Sequence, residues 1–395
     1  MTRSAVSLTA LETEYLVVLD GLSELEVSLF LESWSRCGAR LERSVDDAAG
    51  RSILRGALLS ADRAPMRSDP EEVVATGYAE LCDRLTGLIT RQAISDRRHD
   101  LLMLHAGAVA DPQSGAVVAF IGPSGRGKTT ASMTLGQTLG YVTDETVGIR
   151  DDLTVVPYPK PLSVKLGEPE RWKRQFGPAS AGLIPLPDEP LRLVGLVLLD
   201  RQPDYPSGAA PRVESIGLSA ALEDLVPQVS YLAERDAPLH RLRDVIASCG
   251  GLRLVHYGEA QSLMPLIGEL LAAGRPTASR RTTVSSAAPR SRTEPGDHAP
   301  ASDPGAVVIE RLAVDDAVVD ATSLIVLRES TVTVLDGIAP TIWNAARWPI
   351  SPERLVAAVI SVHGLPDEGD PAGMVARAVE ELAEAGILRL SGAVA

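Results

Sequence analysis

Gly122-Pro123-Ser124-Gly125-Arg126-Gly127-Lys128-Thr129 is the stretch on which the fold turns. It fits G-x-x-x-x-G-K-[ST] at every fixed position, and its surroundings are those the pattern requires. The β-branched run Val117 to Ile121 precedes it, and helical spacing from Thr130 to Leu139 follows. Glycines there let successive backbone N–H groups curl inward, and a helix N-terminus adds partial positive charge. The expectation is a phosphate-binding loop formed by Gly122, Pro123, Ser124, Gly125, Arg126, Gly127, Lys128, Thr129 and Thr130. Lys128 would reach the β- and γ-phosphates of a nucleoside triphosphate, ATP or GTP, and the Thr129 hydroxyl would ligate Mg²⁺. Arg126 is expected to face solvent.

Working outward, Leu101 to Leu104 and Tyr141 to Thr143 read as short strands, and Leu193 to Leu199 as a fully buried one. Strand and helix alternating around a buried sheet is the α/β class. A strand following the loop's helix is expected to return beside Val117 to Ile121, so that acids at its end open onto the phosphates. Asp144 and Glu145, fifteen and sixteen residues past Thr129, stand there. Phosphoryl transfer to an alcohol needs a carboxylate to take the proton and another to hold metal, although a turn or capping role suits Asp144 equally from spacing alone. Asp151 and Asp152 read as a solvated turn. Asp200, ending the run from Leu193, is the weaker acid because of its distance from the loop in sequence.

The 395 residues exceed one ordinary domain. Residues 1–100 mix strand-like pieces such as Tyr15 to Leu19 with helix-like pieces such as Ala75 to Ile94, and read as an accessory region packed on the loop-bearing domain, 101–273. Residues 274–304, rich in Pro, Ser, Thr, Ala and Arg, cannot bury enough apolar surface to offset chain entropy and read as a disordered linker. In 305–395, strands are expected at Val307 to Leu312, Leu324 to Leu327 and Thr331 to Leu335. Helices are expected at Ala339 to Ala346, Pro352 to Val362 and Pro371 to Ala385, with Ser351 as an N-cap and Gly386 as a stop.

Composition excludes several classes. With 45% apolar and 23% charged residues the chain is globular, and aromatics at 4% leave packing to aliphatic side chains. A net charge of −14 argues against general nucleic-acid binding. Cys37, Cys82 and Cys249 lack metal or disulfide spacing and read as buried thiols in a reducing compartment. No apolar run reaches the ~18 residues needed to span a bilayer, and the N-terminus lacks the apolar core of a secretory signal. A cytoplasmic location is expected.

The segment Leu104-His105-Ala106-Gly107-Ala108-Val109, then the loop, then Gly140-Tyr141-Val142-Thr143-Asp144-Glu145, resembles the catalytic domain of HPr kinase/phosphorylase, whose P-loop fold is shared with phosphoenolpyruvate carboxykinase. That resemblance implies Asp144 as base toward a serine hydroxyl, His105 close to the phosphates, and Glu145, where the family usually has a second aspartate, as a metal ligand. The run Pro157-Tyr158-Pro159-Lys160-Pro161-Leu162-Ser163-Val164-Lys165 is similar to one in HPr-kinase-like proteins of peptide natural-product pathways, as is Arg253 to Gly258. Lys160 and Lys165 are open between neutralising bound charge and lying on the surface. The glycine-rich stretch associated with phosphorolysis is absent.

The C-terminal module resembles PqqD-type peptide-recognition domains through Val332 to Gly337, Ile342-Trp343, the helix from Pro352 and Val379 to Leu388. In that family a precursor's leader peptide adds as a strand to a sheet edge. The expected fold is a small winged-helix-like α+β domain, a generic winged helix being the competing reading, and Trp343 is expected in its core. Together the resemblances imply an ATP- and Mg²⁺-dependent serine or threonine kinase of a ribosomal precursor peptide, alongside other biosynthetic enzymes and as a homo-oligomer. An NTP-binding scaffold without chemistry, a small-molecule kinase and a kinase of HPr itself are the competing readings.

Overall fold

The structure, a computed structural model, describes residues 3–43, 50–59, 70–167, 171–274 and 307–392. It is a mixed α/β fold in two compact units, residues 1–236 with 243–275 and residues 237–242 with 276–395. The linker expected over 274–304 lies, apart from Gly274, outside the described residues.

The first unit opens with β1 (Arg3–Ala10) and β2 (Thr13–Asp20), an antiparallel hairpin turned through Leu11 and Glu12 at positive φ. After α1 (Glu24–Ser33), capped reciprocally by Ser23 and Glu26, come β3 (Arg40–Glu42), β4 (Ser52–Leu58), β5 (Glu72–Ala75) and α2 (Tyr78–Asp96). The sheet order is β3-β1-β2-β4-β5. Ala75, expected to start a helix, ends β5 instead: Glu72 to Ala75 pairs beside β4, and Gly77 is the N-cap of α2.

Next come β6 (Leu102–Leu104), β7 (Ala106–Ala110), β8 (Ala116–Ile121), α3 (Lys128–Leu135), β9 (Gly140–Thr143), β10 (Val147–Ile149) and β11 (Val155–Val156). Then follow the ribbon β12 (Leu162–Val164) and β13 (Arg174–Phe176), the long β14 (Arg192–Arg201), β15 (Arg212–Ile216), α4 (Leu218–Leu225), β16 (Val229–Ser230), α5 (Pro238–Ser248), β17 (Leu252–Tyr257) and α6 (Met264–Ala273). The central sheet runs β15-β17-β14-β8-β7-β9, and β8, every residue buried, lies parallel to β14, which lies parallel to β17. The core of the N-terminal sheet continues through Leu101, Met103, Val156 and Tyr158. Part of the loop-bearing region thus extends the accessory region's core, while the central sheet packs a core of its own around Val118, Phe120 and Val197.

One expectation fails here. β9 does not return beside β8, because β7 lies between them, antiparallel to both. Ala106 to Ala110 carries small residues without a strand's usual β-branched pattern, which hides it in the sequence. β8 and β9 still run the same way, so their C-terminal ends share one edge, roughly 10 Å apart by two strand spacings. The helix after the loop is also shorter than its pattern suggested and starts earlier, at Lys128.

The second unit contains β18 (Val308–Arg311), β19 (Asp316–Asp320), β20 (Ser323–Arg328), β21 (Thr331–Leu335), α7 (Ala339–Ala345), α8 (Pro352–His363), α9 (Pro371–Glu384) and β22 (Leu388–Ser391). β19-β20-β21 is an antiparallel sheet, and β22 pairs with β18. β19 and β22 have no counterpart in the sequence reading: both are short and partly exposed, and β22 takes its partner β18 from the far end of the module. Ser351 caps α8 as expected, and Trp343 is buried under the Arg311 guanidinium, 4.0 Å from the ring centroid.

Gly107 sets how closely the loop's helix approaches the sheet. A Cβ there would lie 2.2 Å from Phe120 Cε2 and 2.5 Å from Ser132 Oγ, that is, inside both β8 and α3 side chains. Gly107→Ala is expected to lower stability by about 1–3 kcal/mol through overpacking, read as a shift in the urea midpoint. Adding Phe120→Leu should recover part of that loss. Equal midpoints for wild type and Gly107→Ala would refute the close approach.

Candidate functional site

Where β8 ends, the chain enters the loop with Gly125 and Gly127 both at φ +89, a left-handed conformation strained for any side chain-bearing residue. Gly127 has a second reason to be glycine, since a Cβ would sit 2.8 Å from Tyr257 Oη. That hydroxyl donates to the Arg126 carbonyl at 2.7 Å, so β17 pins the loop from the side. Lys128 opens α3 and folds its ammonium back over the loop, donating to the Gly122 carbonyl at 2.5 Å. Burial pushes its pKa down to about 8.

Two strands away, Thr143 ends β9 and shapes the turn that carries the acids. Its hydroxyl accepts from the N–H groups of Glu145 at 3.2 Å and Thr146 at 3.3 Å, and its carbonyl accepts from Ser132 Oγ of α3 at 3.2 Å. The Glu145 carbonyl accepts from Ala106 N at 3.0 Å and lies 2.9 Å from His105 Nδ1. A carbonyl only accepts, so the His105 proton resides on Nδ1 and a neutral ring leaves Nε2 as acceptor. Burial and then the nearby Lys128 ammonium lower the His105 pKa, which favours that neutral ring.

Between the two acids lies Lys160, with no exposed surface. Its ammonium meets Asp144 Oδ1 at 2.9 Å, Glu145 Oε2 at 3.0 Å and the Pro161 carbonyl at 2.9 Å, one acceptor for each of its three protons. Burial opposes the charge, but the two carboxylates outweigh it and raise the Lys160 pKa above that of a free lysine. Burial likewise opposes ionisation of Glu145, yet Lys160 holds its carboxyl below the usual range. Tyr141 donates to Asp144 Oδ1 at 3.1 Å, which fixes the carboxylate from a second direction. Lys160 is therefore neither a surface residue nor a free cation.

These groups surround one cavity of about 290 Å³. His105, Ser124, Gly125, Gly127, Lys128, Thr129, Thr130, Asp144 and Glu145 all line it, as does Lys165. Gly122 and Pro123 instead present carbonyls to Lys128. Arg126 turns away, but to an ion pair with Asp200 at 2.7 Å. Distance along the chain does not carry over to space for Asp200: β14 is the neighbour of β8, so its end falls beside the loop. The Asp200 carboxylate is held by Arg126, by His256 Nδ1 at 2.8 Å and by Gln202 Nε2 at 3.0 Å, and it does not line the cavity. Asp151 and Asp152 are exposed, as expected of a turn. Lys173 and Arg201 of the lining escaped the sequence reading, as did the burial of Lys160. Two adjacent acids at a strand end need a counter-charge, and that need is the signal which could have pointed to Lys160.

The comparisons bear on none of these assignments: no family model matches the chain, and no curated protein matches it. Among the described residues no helix is long and apolar enough to cross a membrane, and no three His, Cys, Asp or Glu side chains gather in a group able to hold a metal ion. The three cysteines are free and buried.

Removing the Lys160 charge strands two carboxylates. Lys160→Met is expected to lose about 3–5 kcal/mol of stability, the usual result of breaking one side of a buried ion pair, measured by urea unfolding at pH 7. A loss under about 1 kcal/mol would show that solvent reaches the acids and that the pair is not a structural element.

Proposed function

We propose that this protein binds ATP, or GTP, with Mg²⁺ and transfers the γ-phosphoryl group to a serine or threonine hydroxyl of a ribosomally made precursor peptide. The observation that carries the reading is the convergence on one cavity of the loop's Lys128, the Asp144–Glu145 pair and the cations Lys165, Lys173 and Arg201, in a chain whose net charge is −14. A basic concavity in an acidic protein suits a polyphosphate. An HPr-kinase-like fold for the first unit is part of the same proposal.

The Thr129 hydroxyl and the Asp144 and Glu145 carboxylates are hard oxygen donors facing the same space. Such a sparse set fits Mg²⁺, which takes one or two carboxylates and completes its shell with phosphate and water. Thr129 and Glu145 would hold it, and it would neutralise charge on the phosphates. Lys128 and the loop N–H groups stabilise the negative charge that builds on the γ-phosphoryl oxygens. Asp144, oriented by Lys160 and Tyr141, accepts the hydroxyl proton as that oxygen bonds to phosphorus and the diphosphate leaves. The neutral His105 ring adds a hydrogen-bonding nitrogen beside Lys128 without adding charge.

The resemblance of the second unit to PqqD-type domains supplies the acceptor. Its sheet has β19 and β21 as edges, and an added peptide strand would pair there through backbone hydrogen bonds. Holding the leader in this way raises the local concentration of the acceptor to about millimolar.

Incubation of the full chain with Mg-ATP and a candidate precursor peptide should add one phosphate, read by mass spectrometry. Asp144→Asn should cut the rate by about 100-fold or more while nucleotide binding persists. Transfer undiminished by Asp144→Asn would remove Asp144 as base. An unmodified peptide beside intact nucleotide binding would favour the scaffold reading.

Lys128 also gives a pH signature. Its ammonium is the form that attracts phosphate, and with a pKa of about 8 in the free protein it is lost as pH rises through that value. Affinity for a fluorescent ATP analogue should be full below pH 8 and about tenfold weaker at pH 9 than at pH 7. Lys128→Met should bind weakly with a flat profile, whereas a flat wild-type profile would contradict the assignment.

A further inference from the structure

A second cavity, of about 470 Å³, lies in the same unit and takes no part in the site above. Its wall is apolar and aromatic: Leu29, Tyr78, Leu166, Trp172 and Phe176 line it. Three aromatic rings in one place are notable in a chain with only 4% aromatic residues. Leu29 and Leu166 are 45% and 48% exposed, so the cavity is open to solvent and its apolar lining is not buried as core.

The ribbon β12–β13 joins the two cavities. Ser163 and Val164 of β12 line the phosphate-loop cavity, while their cross-strand partners Gln175 and Arg174 of β13 line the apolar one. Paired strands lie about 4.8 Å apart, so the cavities stand side by side with one ribbon as the wall between them. The ribbon is fixed to α2, where Asp83 accepts from Lys173 N at 3.2 Å and Gln175 Nε2 at 3.3 Å. Its mouth is basic. Arg174 lies 5.5 Å from the Phe176 ring centroid and Arg171 5.1 Å from that of Trp172, both exposed, with Lys165 and Lys173 on the neighbouring rim. Among the described residues of the lining, Glu32 is the one acid.

We propose that this cavity is the specificity subsite for the acceptor segment: it takes an aromatic or branched aliphatic side chain, next to an acidic residue, two or three positions from the hydroxyl that enters the phosphate-loop cavity. The inference rests on the peptide-kinase reading and deepens it. An extended chain advances about 3.3 Å per residue, so two or three residues cross a ribbon of two strands. The apolar side chain leaves water for the ring-lined cavity. The neighbouring carboxylate meets Arg174, whose planar guanidinium is already set over Phe176.

The test uses the full-length chain and a blocked peptide containing Ser-Gly-Phe-Asp, with variants carrying Gly for Phe or Lys for Asp. Binding is followed by saturation-transfer NMR and phosphorylation by mass spectrometry. The Phe-Asp peptide should bind about tenfold tighter than the Gly-Asp variant, with its ring protons receiving the strongest transfer. Ala79→Trp, a substitution at an exposed helical position in the lining, fills the cavity and should abolish that preference. Arg174→Glu should reverse the preference between Asp and Lys peptides, and binding of the ATP analogue should stay unchanged in both variants. Equal binding of Phe and Gly peptides, or a preference that survives Ala79→Trp, overturns the inference. So does a concentration-dependent dimer that Ala79→Trp dissolves while peptides bind without preference, since the cavity then belongs to a second copy. Selective binding without phosphate transfer leaves the subsite standing and removes the kinase reading instead.

Discussion

A lysine ammonium sealed between two carboxylates holds the candidate site in shape. Lys160 could not be buried without acceptors for all three of its protons, and Asp144 and Glu145 could not stand adjacent at a strand end without a cation between them. Each side makes the other tolerable. The consequence reaches beyond the three residues, because the Glu145 backbone carbonyl also receives His105 and Ala106, and Thr143 ties the same turn to α3. Hydrogen bonds as well as apolar packing therefore connect the Lys160 segment to the loop helix.

The same contacts fix how the Asp144 carboxylate is turned. Lys160 and Tyr141 both reach Oδ1, so that oxygen is tied down from two directions and the group is held in one orientation. For the phosphoryl transfer proposed above, where the transition state is loose, positioning of this kind is what the reaction asks of a carboxylate.

What could be read from the sequence was what is fixed by neighbours along the chain. Gly125 and Gly127 announce a left-handed loop by residue type, and the apolar run before them and helical spacing after them are contiguous with it. Ser351 before Pro352 announces a helix start for the same reason. The order of His105, the loop and Asp144 was legible as a motif, but the geometry joining them was not, because it depends on β7 sliding between β8 and β9. Four small residues and a single valine from Ala106 to Ala110 give no pattern that separates strand from turn. Lys160 was opaque for another reason. Whether a lysine is buried depends on its acceptors, and those lie fifteen and sixteen residues earlier, on a different strand's end.

Two acids close to the loop were weighed by sequence distance, and the structure replaces distance with a better criterion. Asp200 and Asp144 both end strands at the edge where the loop sits, and Asp200 is on the strand nearer to it. Asp200 has its carboxylate held by Arg126, His256 and Gln202 outside the cavity, so it anchors the loop's own arginine. Asp144 is neutralised from its buried side by Lys160 and still lines the cavity. An acid whose counter-ion lies behind it keeps a face for a reacting group. One whose counter-ions lie in front of it becomes part of the scaffold. By that test Asp144, on the farther strand, is the acid left facing the cavity, and Asp200, on the nearer one, holds the loop's arginine, with β8 and the antiparallel β7 lying between the two strands.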